Sequence, residues 1–344
     1  MVPECRVGQP GPRARLGQRH RCRLTPLPRS EGGKIRMAAL FAVPYLSVLV
    51  LAVAVVLRWV RIAKMPLHLR WELYPVTYDS HRSHSGGSVF EHVNWWQIER
   101  KANHLGKLRV VLAEIFLLKG VHDNNRALWL RSYPFHLGLF LQCAFAVLLV
   151  AGALAEAGGA QITPHAGGVA GWLATGTMVA GTAGFAVLGL GSLALLVRRL
   201  GDPLLRETST GADFLNLLLF LAHAVLGLVT FALVDGDYLF LRGFVRAVVT
   251  FQAPAALPWL VDAEILSGCS LIAYIPLTHM SHFFTKWFTY HRVRWDDEPN
   301  RVGSRIEATV RRQLGYKVEW NAPHIRGAGT KTWADVATEK GVDE

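Results

Sequence analysis

Residues 132–155 read SYPFHLGLFLQCAFAVLLVAGALA, 24 residues without a formal charge and with one histidine, His136, near the start. A bilayer core of about 30 Å is crossed by roughly 20 apolar residues of helix. The stretch therefore predicts a membrane span. Four further uncharged runs surround it, at 37–57, 157–197, 214–234 and 265–285. The 157–197 run is too long for one crossing, and its first part, AGGAQITPHAGG at 157–168, reads as a loop. Five transmembrane helices follow, near 37–61, 132–155, 168–198, 213–234 and 257–288. The fold class expected is an all-α integral membrane protein, a five-helix bundle with amphipathic helices lying on its surfaces.

Composition agrees with this reading. Hydrophobic residues make up 51% of the 344 and charged residues only 18%, with a net charge of +12. Soluble domains carry about 25% charge, so an ordinary soluble enzyme and a disordered basic tail are both excluded. Nor does the high pI require a nucleic-acid partner, because cationic residues of membrane proteins gather in cytoplasmic loops. Four scattered cysteines (Cys5, Cys22, Cys143, Cys269) fit neither a disulfide framework nor a CxxC metal site.

The charges also orient the bundle. Lys and Arg number 12 in 58–131, three in 198–212 and 11 in 286–344, against none in 156–167 and two (Arg242, Arg246) in 235–256. By the positive-inside rule the first group of segments is cytoplasmic, the first span starts outside, and the C-terminus is inside. The leader 1–36 conflicts with this, holding nine Lys/Arg and two Glu without an apolar signal core. It reads as disordered, and Met37, immediately before the first span, is the expected translation start. The membrane domain is expected at 37–290, including the cytoplasmic segment 62–131, and a docking tail at 291–344. Within 95–118, Trp95, Ile98, Leu105, Leu108, Leu112, Ile115 and Phe116 recur at helical spacing among cations, a pattern of surface-lying helices. A second such helix is expected outside, at 238–249. Six tryptophans of the inward segments (Trp71, Trp95, Trp96, Trp295, Trp320, Trp333) suggest an interface. The stretch 316–337 has little periodicity and is expected to order on a partner. His81, His84 and His92 read as a solvated loop.

Four histidines fall inside spans: His136, His223, His279 and His282. Intramembrane ionisable groups mark function by default, the bland alternative being an interhelical hydrogen bond. His136 lies about four residues, or 6 Å, into the second helix. His282 lies at similar depth in the fifth, which runs the other way. Two histidines at equal depth on different helices suit bis-histidine ligation of a haem. Gly138 could give the porphyrin close access to the backbone, and Arg131, Lys286, Arg292 and Arg294 could pair with its propionates. His279, three residues before His282, is open to ligating a second, deeper haem or to a bundle hydrogen bond. A His223–His279 pair is mismatched in depth by about 9 Å.

YPFHLG (133–138) and YIPLTHMSH (274–282) resemble the membrane cytochrome b, or gamma, subunit of respiratory nitrate reductases. MPLHLRWELYP (65–75) and FTYHRVRWDD (288–297) bring the resemblance nearer to relatives in sulfite-reduction and heterodisulfide-reductase-type complexes. The similarity covers about 37–335. It implies a haem b held by His136 and His282 in a bacterial or archaeal cytoplasmic membrane. It further implies electron transfer between menaquinone or ubiquinone and a cytoplasmic, heterodisulfide-reductase-like iron–sulfur subunit. The family's outer haem positions fall on Ala146 and Glu264, which departs from its pattern. Glu264 and Asp262 are candidates to accept protons from a quinol; the alternative is two acids solvated at a helix start. A quinone site near Lys119 or His122 is a further option. The rival classes are a haem-free membrane anchor and a proton-coupled transporter, the latter expected to show repeats or paired broken helices.

Overall fold

The computed structural model describes residues 31–65, 104–288 and 302–339, apart from 323, 324 and 326. The stretches at 65–75 and 288–297, the loop histidines, Arg292 and Arg294 lie wholly or mostly outside the described residues. Twelve α-helices are present there: α1 (Glu31–Lys64), α2 (His104–Leu117), α3 (Lys119–Asn124), α4 (Arg126–Ala157), α5 (Gly168–Gly201), α6 (Pro203–Thr208), α7 (Gly211–Leu233), α8 (Leu239–Val249), α9 (Trp259–Tyr274), α10 (His282–Phe288), α11 (Arg305–Leu314) and α12 (Trp333–Thr338). Five are long and apolar enough to cross a membrane, namely α1, α4, α5, α7 and α9 with its continuation to Leu277. The chain is a multi-pass all-α membrane protein.

Local chemistry sets where the helices start. The Asn125 side chain accepts from Leu128 N and opens α4. Asp202 caps α6 ahead of Pro203, whose missing N–H costs nothing in a first turn. Thr210 and Asp213 form a reciprocal capping box at α7.

The spans pack in the spatial order α4, α5, α7, α9, α1. Water gives no drive to associate inside lipid, so small residues that let backbones approach take its place. A Cβ on Gly138 would fall 2.5 Å from Leu188 N and Cα, and one on Gly191 would fall 2.2 Å from Phe135 N. These two glycines form the α4–α5 seam. Gly227 receives the Phe185 ring between α7 and α5. Helices α1 and α9 run parallel, since Arg36 pairs with Asp262 at one end and Arg58 reaches Leu277 and Thr278 at the other. By contrast, α4 and α9 are not packed broadly against each other.

Four expectations change. The leader reads as disordered through residue 36, whereas α1 already begins at Glu31 and Arg36 pairs with Asp262. The fifth span is not one helix over 257–288. Pro276 lacks an amide proton, and the helix gives way to two 3-10 turns, Ile275–Leu277 and His279–Ser281, before α10 resumes at His282. The helix after the fourth span is present as α8, but its Arg242 points into the protein and is buried. The fourth concerns 316–337. Its described residues form an antiparallel bridge between Lys317 and Thr332, with Val318 and Ile325 buried. Backbone bonds such as Val318 N to Lys331 O, 2.8 Å, hold it. A turn-rich hairpin has no helical period to find.

Candidate functional site

His136 stands on α4 and His282 opens α10. Their ring centres are 6.2 Å apart with planes at 65°. His136 Nδ1 lies 2.8 Å from Ser132 O. A carbonyl oxygen only accepts, so Nδ1 donates here, and in the neutral form of the ring the lone pair lies on Nε2. A backbone carbonyl bonded to one ring nitrogen is what fixes the tautomer of a metal-binding histidine. Phe135, buried on the same turn, meets the His136 ring edge-on at 5.5 Å. Beyond it stand Phe220, Leu188, Leu217 and Leu271, an apolar cluster that closes this end of the bundle.

The separation of the ring centres matches that of two imidazoles sharing one metal. Each nitrogen would stand about 2.0–2.1 Å from a first-row metal, and the ring centre roughly 1.2 Å further back, so the two centres would be roughly 6.4 Å apart. Among the described residues no three His, Cys, Asp or Glu converge on one point. Two histidines thus leave the remaining coordination to a ligand such as a macrocycle.

The other histidines are placed elsewhere. His223 is turned toward α9, its Nδ1 2.8 Å from Ser267 Oγ, with Phe185 edge-on at 5.3 Å. His279 and His282 have different neighbours. His279 lies in the second 3-10 turn, its side chain 61% exposed, 3.6 Å from Asp213 and 3.4 Å from Asn216. The expected role of Gly138 also changes. It stands two residues from His136, about 200° round the helix, and is taken up by contact with α5. Arg131 is exposed and donates to Ala127 O.

At the opposite end of the bundle, Asp262 and Glu264 are both buried, so the reading as solvated acids does not hold. Asp262 pairs with Arg36. Glu264 Oε1 is buried with no hydrogen-bond partner among the described residues. Sequence reasoning missed the organiser of this end. Asp235 accepts from Phe240 N and Leu241 N and so starts α8. Asp235 lies just outside the span; burial raises its carboxyl above the usual range. Tyr238 is fully buried against Phe145 and Phe231. Arg242 donates to Glu156 at 2.6 Å and to Ile162 O at 2.8 Å. The available signal was a cation on the apolar face of an amphipathic helix.

A ladder of rings runs along the other end of α4. His122 meets Trp129 edge-on at 5.1 Å, and Trp129 stacks on Tyr133 at 4.7 Å. Positions 129, 133 and 136 share one helix face, so the ladder runs on the side of α4 that carries His136.

Comparison with known proteins accords with this arrangement. The chain is 31% identical over 118 residues to the respiratory nitrate reductase 1 gamma chain of Escherichia coli (strain K12), covering 31% of this chain and 52% of that protein. It is 34% identical over 89 residues to the Hdr-like menaquinol oxidoreductase cytochrome b-like subunit of Archaeoglobus profundus, covering 24% of this chain and 26% of that protein. The chain therefore spans about half the length of one curated relative and a quarter of the other. The model of the nitrate reductase gamma subunit family matches residues 122–296, half of the chain, and takes in both His136 and His282, so the chain belongs to that family.

Proposed function

We propose that this chain is the haem b-bearing membrane subunit of a respiratory oxidoreductase complex, passing electrons between a membrane quinone and an iron–sulfur partner subunit. The observation that carries the reading is the His136–His282 pair, two imidazoles from separate helices at the separation that one iron between them needs. The weak packing of α4 against α9 supports it, since a macrocycle needs room between these helices. So does the printed name of the Archaeoglobus relative, a menaquinol oxidoreductase cytochrome b-like subunit. When bound, the haem supplies one-electron redox chemistry at its iron.

The protein's own residues supply position and dryness. Ser132 O holds the His136 tautomer. Phe135, Phe220 and Leu271 keep water from this end of the bundle. One haem is proposed. His223 and His279 each face partners of their own, away from the pair. Tyr238 packs on Phe145 beside Ala146 and is an electrostatic neighbour of Glu264, so side chains fill the opposite end.

Two placements of the quinone are weighed. Glu264, with Asp262, offers a buried carboxylate as proton acceptor, but stands roughly 25 Å along the fifth span from His282. Electron tunnelling falls exponentially with distance, so that site would need a second carrier. A site near Lys119 and His122 adjoins the ring ladder of His122, Trp129 and Tyr133, on the face of α4 that carries His136, and the His122 ring lies 3.0 Å from Asp123. The geometry favours this second placement. The charge asymmetry supports a cytoplasmic His136 end, with the iron–sulfur partner, of heterodisulfide-reductase type, docking there.

A reduced-minus-oxidised spectrum of membranes holding the protein tests the reading. A b-type signal is expected, lost in His136→Ala and in His282→Ala. Absence of the signal leaves the haem-free anchor, and its survival in both variants overturns ligation by His136 and His282. A transporter would need paired broken helices, whereas among the described spans only the fifth is interrupted.

A further inference from the structure

The interruption of the fifth span has a counterpart on the first. Within a bilayer an unpaired backbone carbonyl is costly, and irregular backbone persists only where other protein groups satisfy it. Leaving the helix at Ile275 puts the chain into that situation. Thr278 is extended, at φ −107° and ψ −179°, which ends the helical ladder at Leu277, and Thr278 O takes the first bond of the next turn, from Ser281 N at 3.3 Å. Arg58 of α1 meets the carbonyls of both residues. Its Nη2 donates to Leu277 O at 2.7 Å, and its Nη1 donates to Thr278 O at 2.8 Å and to Ser281 Oγ at 2.5 Å. A guanidinium presents several donors in a fixed plane, which a lysine ammonium cannot reproduce. Its charge also sits where the carbonyl end of α9 is negative. The three acceptors span the break: Leu277 closes one 3-10 turn, and Ser281 closes the next. The residue after Ser281 is His282.

We propose that Arg58 is the positioning residue of the His282 ligand, fixing the backbone from which that imidazole meets its metal. The proposal rests on the haem reading above. A rigid scaffold is needed because a ligand misplaced by about 1 Å loses its function. Neither short-range sequence nor α9 itself provides one at the break. Arg58 provides it by tying 277–281 to α1, which runs parallel to α9 and is anchored at its far end by the Arg36–Asp262 pair. Arg58 acts through the backbone of the ligand segment and touches no reacting atom.

The test uses the full chain in membranes or detergent, as native protein, Arg58→Gln, Arg58→Lys and Ser281→Ala. Three readouts are taken: haem dissociation rate, low-spin EPR spectrum with midpoint potential, and amide exchange at 277–283. In Arg58→Gln, haem is expected to leave at least tenfold faster, with a displaced EPR signal and tenfold faster exchange confined to 277–283. Arg58→Lys should be intermediate and Ser281→Ala milder still. A native spectrum, potential and exchange pattern in Arg58→Gln overturns the proposal, as does full rescue by lysine. If no variant folds except Ser281→Ala, unchanged exchange and spectrum in that protein overturn it too. Should the native protein bind no haem, the haem reading fails, while the exchange arm still decides whether Arg58 holds the break.

Discussion

At the scale of single residues, two polar pairs differ in kind. The His136 and His282 rings are brought within 6.2 Å of each other, their planes inclined at 65°, and replacing either by alanine is expected to abolish the b-type spectrum. Arg242 and Glu156 form a buried ion pair, with Arg242 1% exposed. Removing one partner of a buried pair strands the other charge and costs about 3–5 kcal/mol. Arg242→Ala should therefore lower the thermal midpoint in detergent steeply. Arg246→Ala, half exposed and 3.8 Å from the same carboxylate, should change it little. Equal effects would show that Glu156 does not depend on Arg242. The two histidines were legible in the sequence because depth along a span is read by counting. Arg242 was not, because a helical pattern gives its apolar stripe without saying which face meets protein and which meets lipid or water.

At the scale of elements, the α4–α5 seam bears directly on the site, since the face of α4 next to His136 is the one packed on α5. Gly191→Ala would drive a methyl into Phe135 N, one residue from His136. Overpacking of this kind costs about 1–3 kcal/mol. It should also move the His136 ligand, so a lower thermal midpoint together with a shifted haem spectrum is expected. Gly201→Ala, with nothing within 4 Å of the added carbon, is the control and should do neither. The fifth span teaches the converse lesson. Pro276 was visible within an otherwise apolar run, yet a proline in a membrane helix can kink it or break it. The outcome depends on whether a neighbour can satisfy the freed carbonyls. Here Arg58, 218 positions earlier in the chain than Pro276, does so. Beyond that break His279 is a neighbour of Asp213 and His282 a neighbour of His136.

At the scale of the whole molecule, the bundle is closed differently at its two ends. One end is filled by α8 with Tyr238, Leu241 and Phe244, and the other carries the histidine pair with α3 and its ring ladder. Reporter fusions to the 158–167 loop and after Glu344 should report opposite sides of the membrane, with the latter cytoplasmic. A cytoplasmic signal from the loop fusion would reverse the proposed orientation. The number of spans, their order and the two candidate ligands followed from sequence alone. Each rests on a property carried along the chain, namely the length of an apolar run, the placing of cations and the depth of a histidine from the end of its helix. Only the tertiary structure decided which histidines come together, that Gly138 serves helix packing, and that Asp262, Glu264 and Arg242 are buried. The physical reason is that these depend on what lies across a helix interface. Residues distant in sequence supply those neighbours, and here a proline break and the guanidinium that fills it redirect the one segment on which the site turns.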